Sequence, residues 1–302
     1  MIVDCHTHIW ASVEQLGRGT GLWSPRLRGQ RSGQPPRADT VRHLAAAEPV
    51  DKTFVLAFKS HYLEADVPNE YVADYVRQHT DRLIGFAGVD PSRPKDAIED
   101  LRHAHDELGM QGVTIWPAAQ DYHPASSSAM RIYTEISRLN MPVIIHQDVR
   151  ASENSKMEFA RPYLVDEIAR EFPDLKIIIS QLGYPWTEEA IILLAKHHNV
   201  FADISGLIHY GWTAYHALLS AYQAGVMDAL LFGSNFPHTT AAACIEALYS
   251  INQFCHGTAL PTIPREQLRQ IVERDVLRLL HLESERAEAP PEPDTTVIRV
   301  DE

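Results

Sequence analysis

Short β-branched and apolar runs recur along the chain at intervals that leave room for a helix between successive pairs. They are Ile2-Val3, Thr53 to Leu56, Leu83 to Phe86, Gly112 to Ile115, Pro142 to Ile145, Lys176 to Ile179, Val200 to Asp203 and Leu230 to Phe232, eight in all. Between them the apolar positions Ile98/Leu101/Leu108, Ala129/Ile132/Tyr133/Ile136 and Leu164/Val165/Ile168/Ala169/Phe172 return mostly every three to four residues. That is the spacing of helices burying one face. Eight alternations without a break in composition predict an α/β chain forming a single parallel (β/α)8 TIM barrel more economically than a doubly wound sheet, although periodicity alone leaves the sheet open. The 302 residues suit one such barrel. An extra C-terminal helix near Arg265 to Leu280 is expected beside it.

Two stretches break the rhythm. Ala11 to Thr40 carries five glycines, three prolines and five arginines (Arg18, Arg26, Arg28, Arg31, Arg37) against two acids. It is too irregular for a regular element and too long for a plain connector, so a long, ordered or lid-like loop after strand one is expected. A loop in that position lies over the C-terminal mouth of a barrel, and its arginines, Arg28 among them, suit an anionic substrate. From Ser284 onward three prolines and six acids against two arginines describe an acidic tail, disordered or loosely docked. The expected organisation is a barrel over 1–283 and a tail over 284–302.

Composition narrows the partners. With 27 Lys and Arg against 40 Asp and Glu, the net charge of −13 argues against nucleic acid and anionic membrane and favours a small molecule. Three cysteines without metal-finger spacing point to a reducing compartment, and no leader or membrane-length apolar run is visible, so a cytoplasmic protein is expected.

The chemistry is concentrated at strand ends, where barrels of this kind keep their active groups. His6 and His8 form a His-x-His pair off the first apolar run, and alternate side chains of a strand share a face, so both imidazoles can reach one divalent ion. Strand five ends in His146, strand six runs into Gln181-Leu182-Gly183, and strand eight ends in Gly233-Ser234-Asn235-Phe236-Pro237-His238. Together with Asp4-x-His6-x-His8, Gly112-Val113 to Pro117, Leu182-Gly183-x-Pro185-Trp186 and Ala202-Asp203-x-Ser205-Gly206, these motifs resemble the amidohydrolase superfamily. The resemblance runs from Met1 to about Leu282. It lies in the amidohydrolase-related (amidohydrolase 2) branch of metal-dependent TIM-barrel hydrolases that includes aminocarboxymuconate semialdehyde decarboxylase and γ-resorcylate decarboxylase.

The resemblance implies that His6, His8 and His146 hold one divalent metal, zinc first, with manganese or magnesium as alternatives. Two positions depart from the family pattern: Gln181 stands where the family has His, and Asn235 where it has Asp. Neither carboxamide can accept a proton at working pH, although each can still orient a ligand. Asp148 and His238 are therefore candidate proton carriers beside Asn235 and Gln181, with His61 and His123 behind them. Trp116 and Trp186, along with Trp10, could wall a pocket for a planar substrate. Asp203, inside strand seven, is expected to face the interior or a backbone amide.

These features define three functions. The first is a hydrolase of a small, anionic ester, lactone or amide acting through a metal-activated water. The second is a non-oxidative decarboxylase of an aromatic or unsaturated acid, and the third is a non-catalytic ligand-binding barrel, suggested by the two substitutions. The implied partner is a carboxylate-bearing small molecule, and the family resemblance allows for a homodimer.

Overall fold

The computed structural model describes residues 1–23, 36–148 and 155–283, the side chains of 19–23 excepted. Eight strands, β1 (Val3–His8), β2 (Lys52–Leu56), β3 (Leu83–Gly88), β4 (Gly112–Ile115), β5 (Val143–Ile145), β6 (Ile177–Ile179), β7 (Val200–Asp203) and β8 (Leu230–Leu231), form one sheet in chain order. Every neighbouring pair is parallel. A parallel bridge between Thr7 and Phe236 brings the end of the chain's last strand back to its first, closing the barrel expected from the sequence.

Two layers of apolar packing flank these strands. Val113, Ile115, Val143, Ile145, Ile177, Ile179, Val200 and Ala202 point outward onto the helices. Phe54, Leu56, Ile84, Phe86, Ile144, Ile178, Phe201 and Leu231 fill the interior. Space there is tight enough that a Cβ on Gly112 would lie 2.2 Å from the Phe86 ring, so glycine is required for the close approach. The helix Ser127–Arg138 forms where expected: the Ser126 hydroxyl caps the Ala129 amide, and Ala129, Ile132, Tyr133 and Ile136 are buried. In Pro94–Asp106 the buried face is set by Ala97, Leu101 and Ala104, with Ile98 at its margin.

Three features differ from the simplest expectation. The C-terminal segment is two short helices: Arg265–Val272 packs beside the barrel through Leu268, Ile271 and Val272 as expected, whereas around Val276–Leu279 the residues Val276, Leu277, Leu280 and Leu282 join the interior cluster. After β2 the chain makes an antiparallel hairpin, Phe58–Ser60 with Ala65–Val67. Part of the long loop after β1 is ordered as a 3-10 helix over Val13–Trp23, broken at Gly17, whose φ is positive and where an added Cβ would lie 2.3 Å from the Leu63 and Glu64 carbonyl oxygens of that hairpin. Arg18 there pairs with Glu64 at 3.2 Å. Arg28 and the tail 284–302 lie outside the described residues.

Candidate metal centre

Each imidazole of the site is held by an element and a second group. His6 lies within β1 and His8 closes it, while His146 directly follows β5 in phase with the interior-facing Ile144. Their ring centroids form a triangle with sides of 5.2, 4.9 and 5.4 Å, and one nitrogen from each lies within 4.8 Å of the others. His6 Nδ1 is 3.0 Å from Asp203 Oδ2. Asp203 ends β7 and is fully buried; its other oxygen accepts from the Ser205 amide at 2.9 Å and the Gln181 amide at 3.1 Å. Burial pushes that carboxyl up, but His6 and these hydrogen bonds outweigh it and hold it below its ordinary value. An ionised Asp203 fixes the His6 proton on Nδ1, so Nε2 presents its lone pair to the cluster.

The other two rings follow the same logic. His146 Nε2 bonds Thr114 Oγ1 at 2.8 Å, which leaves Nδ1 for the cluster, and the Trp116 indole stacks on the ring at 5.0 Å. Trp116 is fixed in turn by donating from Nε1 to the Asp148 carbonyl at 2.6 Å. Burial, then the proximity of His6, push His8 down to about 3, and burial with both neighbours holds His146 well below its usual range. His8 and His146 are therefore suited to the neutral state a metal requires.

The spacing fits an ion. His6 Nε2 and His8 Nε2 lie 3.3 Å apart. Bonds of about 2.0–2.1 Å to a tetrahedral zinc put neighbouring ligand nitrogens at about that separation.

A cavity of about 40 Å³ adjoins the triangle. Its walls include His6, His8, His146, Asp148, Gln181, Asn235, His238 and Trp116, so both substituted positions and both candidate proton carriers face the same space. Asn235 has a left-handed backbone (φ 61°), and its amide donates to the His6 carbonyl at 2.9 Å, tying the end of β8 to β1. Gln181 begins a run of three left-handed residues, with Leu182 and Gly183. Between the two carboxamides sits Gly206, itself at φ 58°; a Cβ there would lie 2.8 Å from Gln181 Oε1 and 3.0 Å from Asn235 Nδ2.

Other candidates fall elsewhere. Trp186 is not among the residues lining this cavity; it stacks under Arg161, whose guanidinium pairs with Glu189. His61 donates its amide to Asp90, and His123 accepts at Nδ1 from the Ala125 amide and packs on Phe159, both away from the cavity. Asp203 and Thr114 were not assigned to the imidazoles from sequence, because one pairing joins β1 to the distant β7 and the other depends on the β4–β5 register. Apolar walls from the 3-10 helix (Leu16) and the hairpin (Phe58, Val67) were likewise unforeseen.

A family model described as Amidohydrolase matches residues 3–280, and the chain belongs to that family. Solved structures share the fold at low identity. An uncharacterised TIM-barrel protein from Bordetella bronchiseptica is 19% identical with a TM-score of 0.68, covering 93% of this chain and 98% of its own. A probable 2-pyrone-4,6-dicarboxylic acid hydrolase from Acinetobacter baumannii, solved with citric acid bound, is 16% identical with a TM-score of 0.62, covering 93% and 99%. A 5-carboxyvanillate decarboxylase from Novosphingobium aromaticivorans, complexed with manganese and 4-hydroxy-3-methoxy-5-nitrobenzoic acid, is 15% identical with a TM-score of 0.64, covering 93% and 96%. Among the described residues no helix is long and apolar enough to cross a membrane.

Proposed function

We propose that this chain is a metal-dependent hydrolase of a small carboxylate-bearing ester, lactone or amide, with His6, His8 and His146 holding one divalent cation, zinc before manganese or magnesium. One observation carries the reading: His6, His8 and His146 bring one nitrogen each to within 4.8 Å of one another, with His6 Nε2 and His8 Nε2 at 3.3 Å, a spacing that one shared cation spans. Bound there, the cation supplies Lewis-acid polarisation and lowers the pKa of a water. Asp203 keeps the His6 proton at Nδ1, and Thr114 does the same for His146 at Nε2. Asp148 and His238 are the cavity groups proposed to move protons, because Asn235 and Gln181 can only orient a ligand through their amides. Carboxylate recognition is supported by charge: imidazole ligands add no negative charge, so a bound dication, offset only by Asp203 behind His6, would keep a net positive charge toward the cavity, which favours an anionic ligand. The carboxylate-bearing ligands of the Acinetobacter and Novosphingobium proteins agree with it.

Decarboxylation is the second reading, supported by the manganese-bound decarboxylase in the same fold and by Asp148 or His238 as donors to a departing carbanion carbon. The test is metal analysis of protein purified without added ions, followed by assays on lactones and hydroxybenzoates that record both acid release and carbon dioxide. Stoichiometric metal that is lost in His6→Ala/His8→Ala, with acid release and no carbon dioxide, supports the hydrolase. Carbon dioxide transfers the assignment to the decarboxylase, and absence of metal after reconstitution with zinc overturns both.

A further inference from the structure

The His-x-His pair faces the cavity because β1 changes phase. Val3 and Cys5 belong to the barrel interior with Phe54, Leu56, Ile144 and Ile178. Strict alternation from them would turn Thr7 inward and His6 and His8 outward. The opposite is found: His6 and His8 line the cavity, and Thr7 meets His43 of the helix Thr40–Ala46 on the outer side. The change occurs where the β1–β2 register slips. Asp4 pairs with Thr53 and Thr7 with Val55, so one more residue lies on β1 than on its partner, a bulge of a kind rare between parallel strands.

A bulge frees backbone groups, and buried ones must find partners. Asp4 Oδ1 accepts from the His6 amide at 3.2 Å and also from the Ser234 amide at 2.8 Å. Thr7 Oγ1 donates to the Phe54 carbonyl at 2.5 Å, the residue opposite the inserted position. That leaves the Thr7 oxygen to accept from His43 Nε2 at 2.8 Å, while His43 Nδ1 lies 2.9 Å from the Tyr75 hydroxyl, itself 3.2 Å from the Thr40 carbonyl. His43 is fully enclosed and packs edge-on against Phe236, the residue that bridges Thr7 across the barrel closure. Every polar atom of this chain of contacts is used, and its two ends grip β2 and the helix Asn69–Arg77.

We propose that Thr7 and His43 are positioning residues: together they hold the β1 bulge in the phase that turns both imidazoles into the cavity. Neither touches the site itself. The inference rests on the proposed metal site for its functional meaning, but its geometry can be tested without metal. In metal-free protein, nitrogen NMR of the imidazoles reads the His6 Nδ1–H held by Asp203; in parallel, zinc affinity is read by competition with a chromophoric chelator. Thr7→Val and His43→Leu should lose the His6 signal and weaken zinc by about tenfold to a hundredfold, the range for disturbing groups that orient metal ligands. Thr7→Ser, which keeps the hydroxyl, should restore both. Ile132→Ala, a core truncation in the helix Ser127–Arg138, should lower the unfolding temperature and leave both readouts as in the wild type, separating aim from stability. An unchanged His6 signal in folded Thr7→Val, or failure of Thr7→Ser to restore it, overturns the inference. If the wild type binds no zinc but the His6 signal responds as stated, the metal site falls and the positioning role stands.

Discussion

The residues that depart from the family pattern give the sharpest test of the site. Asn235→Asp places a negative charge at a buried position lining the same cavity as the three imidazoles, and it should tighten zinc binding by tenfold or more, roughly 1.4 kcal/mol, in a chelator competition. An unchanged affinity would mean that the side chain at 235 does not address the ion. Asp203→Asn keeps the shape but removes the charge that fixes the His6 tautomer, and a loss of about tenfold to a hundredfold in zinc affinity is expected. The three imidazoles were legible because His-x-His is local and His146 ends an apolar run. Their supports were not, since Asp203 reaches His6 only once the barrel closes and Thr114 reaches His146 only through the register of β4 against β5. Trp186 read as a wall because it follows strand six, yet Arg161 covers its ring.

At the scale of elements, what composes the mouth is backbone geometry more than sequence pattern. Gly206 separates the Gln181 and Asn235 carboxamides at a left-handed φ, so Gly206→Ala meets strain and contact together. It should cost about 1–3 kcal/mol in chemical denaturation. It should also shift zinc affinity, a response that strain confined to the backbone would not produce. The eight strands were legible from their β-branched runs, and the helix Ser127–Arg138 from its apolar spacing. The bulge was not, because a register slip is a property of two strands and leaves no mark in either alone. The Phe58–Val67 hairpin escaped for a different reason: its strands are three residues each, shorter than any period that could be counted.

For the whole molecule, buried imidazoles set the response to acid. His8 is pushed down to about 3 and His43 to about 4, both chiefly by burial, and His146 lies well below 6.5. The folded state refuses protons that the unfolded chain accepts, so their contribution is intact above about 6.5 and is lost as pH falls from there toward 3. Asp4, raised to about 6 by burial, acts oppositely: it favours the folded state below its ordinary 3.8 and loses that contribution as pH rises to 6. Three imidazoles outweigh one carboxyl, and the unfolding temperature should drop steadily between pH 6.5 and 4. A flat profile in calorimetry would contradict the burial of these rings.

The barrel is sealed by modest means. Its eighth strand has two residues, and the Cys5, His8 and Asn235 amides bond across to the Phe232, Phe236 and His6 carbonyls. The two histidines that open the sequence stand on one side of this seam and Asn235 on the other. In a nascent or partly melted chain whose ends have not met, His6 and His8 would not face Asn235 across one cavity, and if the proposed cation binds there its uptake would report that the ring has shut.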